Sequence, residues 1–143
     1  MATFVGRIND RQIVLIVTVS ISGIPGGNLH QYSGLLDTGA QATMISKKVI
    51  DEVGLTAIGH MSIIPVTGEP SLTGKYRIRL DIPIESQVKL PDGGIGQHNV
   101  MRGMDLEVGA LTYEPTNHDV LLGMDFISAF HITMYGDSFI LSN

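Results

Sequence analysis

The chain has 143 residues, 43% of them hydrophobic and 16% charged, with a net charge of -5 and no cysteine. That length corresponds to a single domain over residues 1–143, able to bury roughly two thirds of the surface its unfolded chain would expose. The missing cysteines exclude disulfides, thiolate metal sites and cysteine nucleophiles, and nine scattered Lys and Arg against fourteen Asp and Glu exclude a nucleic-acid backbone as partner.

The start "MATFVGRIND" lacks the basic-then-apolar pattern of a secretory signal. The apolar run "IVLIVTVSISGI" (13–24) is too short and too rich in Ser and Thr to cross a bilayer, which needs ~20 apolar residues. The expectation is a soluble, cytoplasmic protein with no membrane partner. Its charged fraction is below the usual quarter or so, which leaves apolar surface for a subunit interface or a groove.

In chain order, "QIVLIVTVSI" is dense in Val and Ile, whose branched Cβ suits a pleated surface. The turn cluster "SGIPGGN" follows, then "LHQYSGLL", and the three together read as a β-hairpin. "ATMI" (42–45) reads as a short strand. Ser46 can cap a helix over "KKVIDEV", with Val49, Ile50 and Val53 on one face and Gly54 as its stop. "HMSIIPV", "TGEP" and "SLTGKYRIRLDIPI" form a second hairpin with a Gly/Pro tip. Tyr76, Ile78, Leu80 and Ile82 alternate with Arg77, Arg79 and Asp81, the period of a half-exposed strand. Residues 85–105, with "LPDGGIGQHN", read as a turn-rich connection, and "LEVGALTY" as a further strand. "HDVLLGMDFISAF" combines an apolar run with a short helical turn, and "HITMYGDSFILSN" closes the chain with a hairpin around "YGD". The sum is a mainly-β domain with one or two short helices.

Most candidate sites have ordinary readings. The five histidines lack ligand spacing, so no metal is expected. Gly94 and Gly96 in "DGGIGQ" have neither the third glycine nor the βαβ setting of a dinucleotide site and read as a loop. Ser33 and Ser46 lack a G-x-S-x-G frame. The exception is Asp37, a carboxylate placed directly after Leu35 and Leu36, where an ionised group needs a partner. A bare Asp-Thr-Gly is commonly a turn, since Asp bonds its own backbone and Gly supplies φ > 0.

Its context favours more than a turn. "GLLDTGAQATMIS" (34–46) resembles the active-site segment of the retropepsin-like aspartic proteases, "DVLLGMDFI" (119–127) their apolar-apolar-Gly segment, and "PVTGEP" (65–70) their flap hairpin. In outline the resemblance covers most of residues 12–142, and at motif level about thirty, closest to the cellular and bacterial single-domain members. It implies a closed acid-protease barrel with half a site per chain and no cofactor. It also implies Asp37 as the catalytic residue, with Thr38, Gly39 and Ala40 in the active-site loop. Val66, Thr67 and Gly68 would form a flap over a peptide or protein substrate, and Leu121, Leu122 and Gly123 the segment behind the loop. One departure is Met124, where viral members usually carry Arg; the charge network built on that Arg is then absent or replaced.

Aspartic proteolysis needs two carboxylates about 3 Å apart sharing one proton, since both cannot ionise at that distance. The chain has one Asp-Thr-Gly: Asp137-Ser138-Phe139 and Asp92-Gly93-Gly94 do not match. A homodimer with a two-fold axis supplies the second carboxylate, and the resemblance places the pairing chain ends "TFVGRI" and "SFILSN" across that axis. Two alternatives remain: a non-catalytic retropepsin-like dimer serving as peptide-binding or scaffold module, and a monomeric β-barrel whose Asp-Thr-Gly is only a turn.

Overall fold

Val- and Ile-rich segments separated by Gly/Pro turns pair into one continuous sheet in the structure, a computed structural model that describes residues 2–9, 12–23, 27–65 and 68–143. The strands are β1 (Ala2–Asn9), β2 (Gln12–Gly23), β3 (His30–Leu36), β4 (Met44–Ile45), β5 (Gly59–Ile63), β6 (Ser71–Lys89), β7 (Ile95–Ala110), β8 (Val120–Leu122), β9 (His131–Tyr135) and β10 (Ser138–Ser142). Helix α1 (Lys47–Val53) follows β4, and the short α2 (Met124–Ile127) follows β8. The sheet order is β5-β6-β7-β4-β8-β3-β2-β1-β10-β9, and β6 also pairs with β2. The circuit β6-β7-β4-β8-β3-β2 therefore closes into a barrel. Pro83 lies where β6 passes from its pairing with β2, which ends at Asp81, to its pairing with β1, which begins at Glu85; a residue without an N–H fits such a break in the ladder.

Alternate residues of β2, β6 and β10 point inward, so Val17, Val19, Ile21, Ile78, Leu80, Ile82, Phe139 and Leu141 are buried together with Leu122 and Phe126. Each such side chain contributes about 1.5–3 kcal/mol on leaving water. The alternation fails at Asp81, which falls on the outer side yet is only 7% exposed, with the Arg79 guanidinium 3.8 Å away. Helix α1 begins and ends as expected: the Ser46 hydroxyl accepts the Val49 N–H, and Gly54 closes it at φ 76°. Val49 is buried and Ile50 and Val53 pack on the core, which holds a helix too short to persist alone.

Two expectations are corrected. Residues 85–105 are not a loose connection: β6 and β7 pair continuously from Lys75↔Gly109 to Lys89↔Ile95, and only the tip at 90–94 turns, with Gly93 at φ 86°. Nor are the chain ends bare strands within one copy. β10 pairs with β1 on one side, from Thr3↔Ser142 to Arg7↔Ser138, and with β9 on the other. Phe139 lies over Gly6 of the same chain, where a Cβ would stand 2.1 Å from its ring. Phe139 and Leu141 are thus spent on the chain's own core. Among the described helices, none is long and apolar enough to cross a membrane.

Candidate active site

β8 lies between β3, to which it runs parallel, and β4, to which it runs antiparallel. The chain joining β3 to β4, residues 37–43, must therefore pass over the end of β8 at Gly123. Gly34 makes the close pairing possible, because a Cβ there would stand 2.7 Å from the Leu122 side chain. Leu36 pairs with Leu122, and the Asp37 N–H donates to the Leu122 carbonyl at 2.9 Å.

Asp37 itself is half-buried, and Thr38 and Gly39 are exposed. The Gly39 N–H donates to Asp37 Oδ1 at 2.9 Å, and the Ala40 N–H to the Asp37 carbonyl at 3.2 Å. The turn geometry expected of Asp-Thr-Gly is present, and it holds the carboxylate at the loop's start. A Cβ on Gly39 would stand 3.1 Å from that oxygen, so glycine suits the site.

The loop is fastened from behind. The Met124 N–H donates to the Ala40 carbonyl at 2.8 Å and the Asp125 N–H to the Gln41 carbonyl at 3.1 Å. The Asp125 carboxylate accepts the Thr43 N–H at 2.9 Å through Oδ2, and the Thr43 hydroxyl at 2.7 Å and the Phe126 N–H at 2.8 Å through Oδ1. The Thr43 hydroxyl in turn accepts the Gly123 N–H at 3.2 Å. Met124, in the position of the viral Arg, leaves this network to Asp125 and neutral donors. Sequence reasoning missed Thr43 and Asp125 as partners; the signal was the residue pair itself, a Thr six beyond Asp37 and an Asp two beyond Gly123.

Leu121 and Leu122 lie in β8, and Gly123 follows them against the backbone of Ala40 and Ala42. Of the flap residues, Val66 and Thr67 lie outside the described residues. Gly68 has φ 85°, and its N–H donates to the Pro65 carbonyl at 2.8 Å. It sits in the connection between β5 and β6, which pair from Gly59↔Lys75 to Ile63↔Ser71. Ile64 and Leu72 beside it are 74% and 72% exposed, so this hairpin presents apolar side chains to whatever lies beneath or beyond it.

At the opposite end of β8, the Asp119 carboxylate accepts the Ser33 N–H at 3.2 Å and pairs with Lys48 at 3.3 Å. The Tyr32 hydroxyl donates to Glu52 at 2.8 Å, and burial together with that carboxylate pushes its pKa up. Burial pushes His118 down against the opposing pull of Asp119, and its Nε2 is buried without a partner. Among the described residues, no group of three or more His, Asp or Glu is arranged to hold a metal ion.

The sequence model of the family described as aspartyl protease matches residues 17–126. No curated protein matches the chain in sequence. Among solved structures, the chain is similar to a retropepsin-like aspartic protease from Rickettsia conorii, with a TM-score of 0.54 and 13% identity over 99% of this chain and 90% of that one. It is also similar to part of a foamy viral protease-reverse transcriptase solved with an RNA/DNA hybrid, with a TM-score of 0.50 and 16% identity. That match covers 85% of this chain but 13% of the viral one. At such identities the likeness establishes the fold: a mainly-β, closed, retropepsin-like barrel with two short helices.

Proposed function

This chain belongs to the aspartyl protease family, and we propose that it is a homodimeric endopeptidase whose Asp37 acts with Asp37 of a second copy. The observation that carries the reading is the Asp37 loop: a half-buried carboxylate, held by its own turn, on a loop fastened to the end of β8. Two such carboxylates facing across a two-fold axis share one proton. The ionised one takes a proton from water as the water oxygen bonds to the scissile carbonyl carbon, and the protonated one gives its proton to the carbonyl oxygen. Collapse of the tetrahedral species breaks the C–N bond, and the amine leaves with a proton from the dyad. Thr38 braces the two loops, and Gly39 lets the backbone approach the substrate. The segment Val66-Thr67-Gly68 closes over a peptide held extended as an added strand.

The second copy needs an open edge. β10 is occupied on both sides, whereas the sheet order ends at β5, in the hairpin read as the flap, and at β9, and this supports β9 as the place where the copies meet. The test is turnover of a mixed peptide pool by the purified chain, with sedimentation at the same concentrations. Wild type cleaves and sediments as a dimer, while Asp37→Asn stays dimeric and loses at least about 10²–10⁴-fold in rate, the usual contribution of general acid–base catalysis. A dimer without turnover would make the chain a peptide-binding module, and wild-type rates in Asp37→Asn would place the chemistry elsewhere.

A further inference from the structure

We infer that Asp125 and Thr43 are positioning residues that set where the Asp37 carboxylate stands, an inference that rests on the reading of Asp37 as catalytic. The loop from Asp37 to Thr43 has two ends. The first is anchored by the Asp37 N–H on the Leu122 carbonyl. The second is anchored through the side chains of Thr43 and Asp125, 82 residues apart in sequence.

The two anchors are one device because both grip the same short stretch, residues 122–126. Asp125 is in ladder-like contact with Gln41 through its N–H, and its carboxylate reaches Thr43 two residues further on. The Thr43 hydroxyl has its proton committed to Asp125 Oδ1 and its oxygen to the Gly123 N–H. It therefore links the strand end behind the loop to the helix start beside it. The Asp125 carboxylate receives three donors, the Thr43 N–H, the Thr43 hydroxyl and the Phe126 N–H, and hydrogen bonds to a carboxylate are stronger than those between neutral groups. The donor pattern also fixes the residue type. In Asn the amide group would face either the Thr43 N–H or the Phe126 N–H, placing donor against donor.

Positioning matters because the dyad tolerates little displacement: productive geometry is held to about 0.5 Å, and a misplacement of about 1 Å costs on the order of 10²-fold. Thr43→Val keeps the shape of the side chain but removes its hydroxyl, which leaves the Gly123 N–H without its acceptor and lets the loop shift against Gly123.

The experiment compares wild type, Thr43→Val and Thr43→Ser by steady-state turnover and by amide hydrogen exchange in the 37–43 and 122–126 segments. Thr43→Val is expected to lower kcat by about 10²-fold with KM changed less than about threefold. Its Ala40, Met124 and Asp125 amides should exchange at least about tenfold faster while those of β2 and β10 do not. Thr43→Ser, which keeps the hydroxyl, should recover most of both losses. Unchanged exchange in the loop of Thr43→Val, or a Ser variant no better than Val, would overturn the inference. If Thr43→Val does not fold, Asp125→Asn is read by the same two measurements. A wild-type chain without turnover would sink the proposed function, and the exchange comparison would still decide whether this pair fixes the loop.

Discussion

A Cβ on Gly123 would stand 2.7 Å from both the carbonyl carbon and the carbonyl oxygen of Ala42, and 2.9 Å from the carbonyl oxygen of Ala40. The backbone of Gly123 is extended, at φ -90° and ψ -171°, so any residue could adopt it. Space alone demands glycine here, because the Asp37 loop rests directly on this residue. All three atoms in the way are backbone and cannot swing aside. Gly123→Ala must therefore lift the loop, with a cost typical of overpacking, about 1–3 kcal/mol. Turnover should fall by on the order of 10²-fold or more, because the lifted segment carries Asp37. Thermal melting and turnover on one preparation check this; an Ala variant with wild-type rates would show that the loop does not need its present seat.

Gly68 makes the opposite case. Among the described residues outside its own chain neighbours, none comes within 4 Å of where its Cβ would be, but its φ is 85°. Here conformation, not space, demands glycine, since the left-handed region costs a side-chain-bearing residue roughly 1–2 kcal/mol. The residue sits between β5 and β6 away from the core, so Gly68→Val should lower the melting temperature by only a few degrees. If the hairpin is a flap, turnover should fall much further, because closure over the peptide is a step of the reaction. Equal losses of stability and rate would mark the hairpin as ordinary scaffold.

The two sides of the acid limb are expected to pull against each other. A coupled carboxylate pair must keep one proton, so turnover should peak below neutral pH, and a rate that climbs steadily to pH 9 would contradict the dyad. Stability should run the other way. Burial lowers the His118 pKa from its ordinary 6.5, so below that pH the unfolded chain binds a proton that the folded chain refuses. Fewer protons on the folded state means that stability is full above about pH 6.5 and falls as pH drops toward the lowered folded value. His118→Gln removes this titration and should flatten that part of the stability curve in urea unfolding from pH 7.5 to 5. A slope unchanged by the substitution would assign the acid loss to other groups.

Local signals in the sequence were sufficient where local physics decides the structure. The Ser46 cap, the Gly54 stop, the turns around Gly68 and Gly136, and the period of Ile78, Leu80 and Ile82 each depend on near neighbours, and each is found in the fold. The Asp-Thr-Gly segment was legible because its turn and its place after a buried strand are also local. Pairing partners were not. The apolar alternation of Phe139 and Leu141 announces a buried face but does not say whose core receives it, and Gly6, the residue that admits the Phe139 ring, is near the other end of the chain. Pro91, Gly93 and Gly94 suggested a long loop because turn residues dominate that stretch. Strand pairing across Lys75–Lys89 and Ile95–Ala110 confines the turn to its tip. The part played by Asp125 shows only once the fold brings Thr43 to it, from 82 residues away in sequence.

The last prediction concerns the open edge. Gly136, at φ 59°, occupies the first central position of the two-residue turn between β9 and β10, the place a type II′ hairpin reserves for glycine. Such a turn makes Tyr135 and Ser138 a hydrogen-bonded pair. By alternation Thr133 and His131 also bond to β10, while the backbone groups of Ile132 and Met134 face the open side. Met134 is 53% and Tyr135 88% exposed, and an apolar edge left bare is a template for another strand. Two copies pairing antiparallel at β9 would each supply the other with a completed edge, by an isologous contact that a two-fold axis allows. Met134→Pro removes one outward N–H without touching the β10 ladder, and proline is tolerated on an edge strand. It should give a folded chain, melting within a few degrees of wild type, that sediments as a monomer at concentrations at least about tenfold above the wild-type dissociation constant and cleaves nothing. Thr133→Pro, which breaks the β10 ladder, should instead lower the melting temperature markedly. Sedimentation and turnover measured on the same dilution series read both effects. A Met134→Pro chain that stays dimeric and active would place the interface on another face of the barrel.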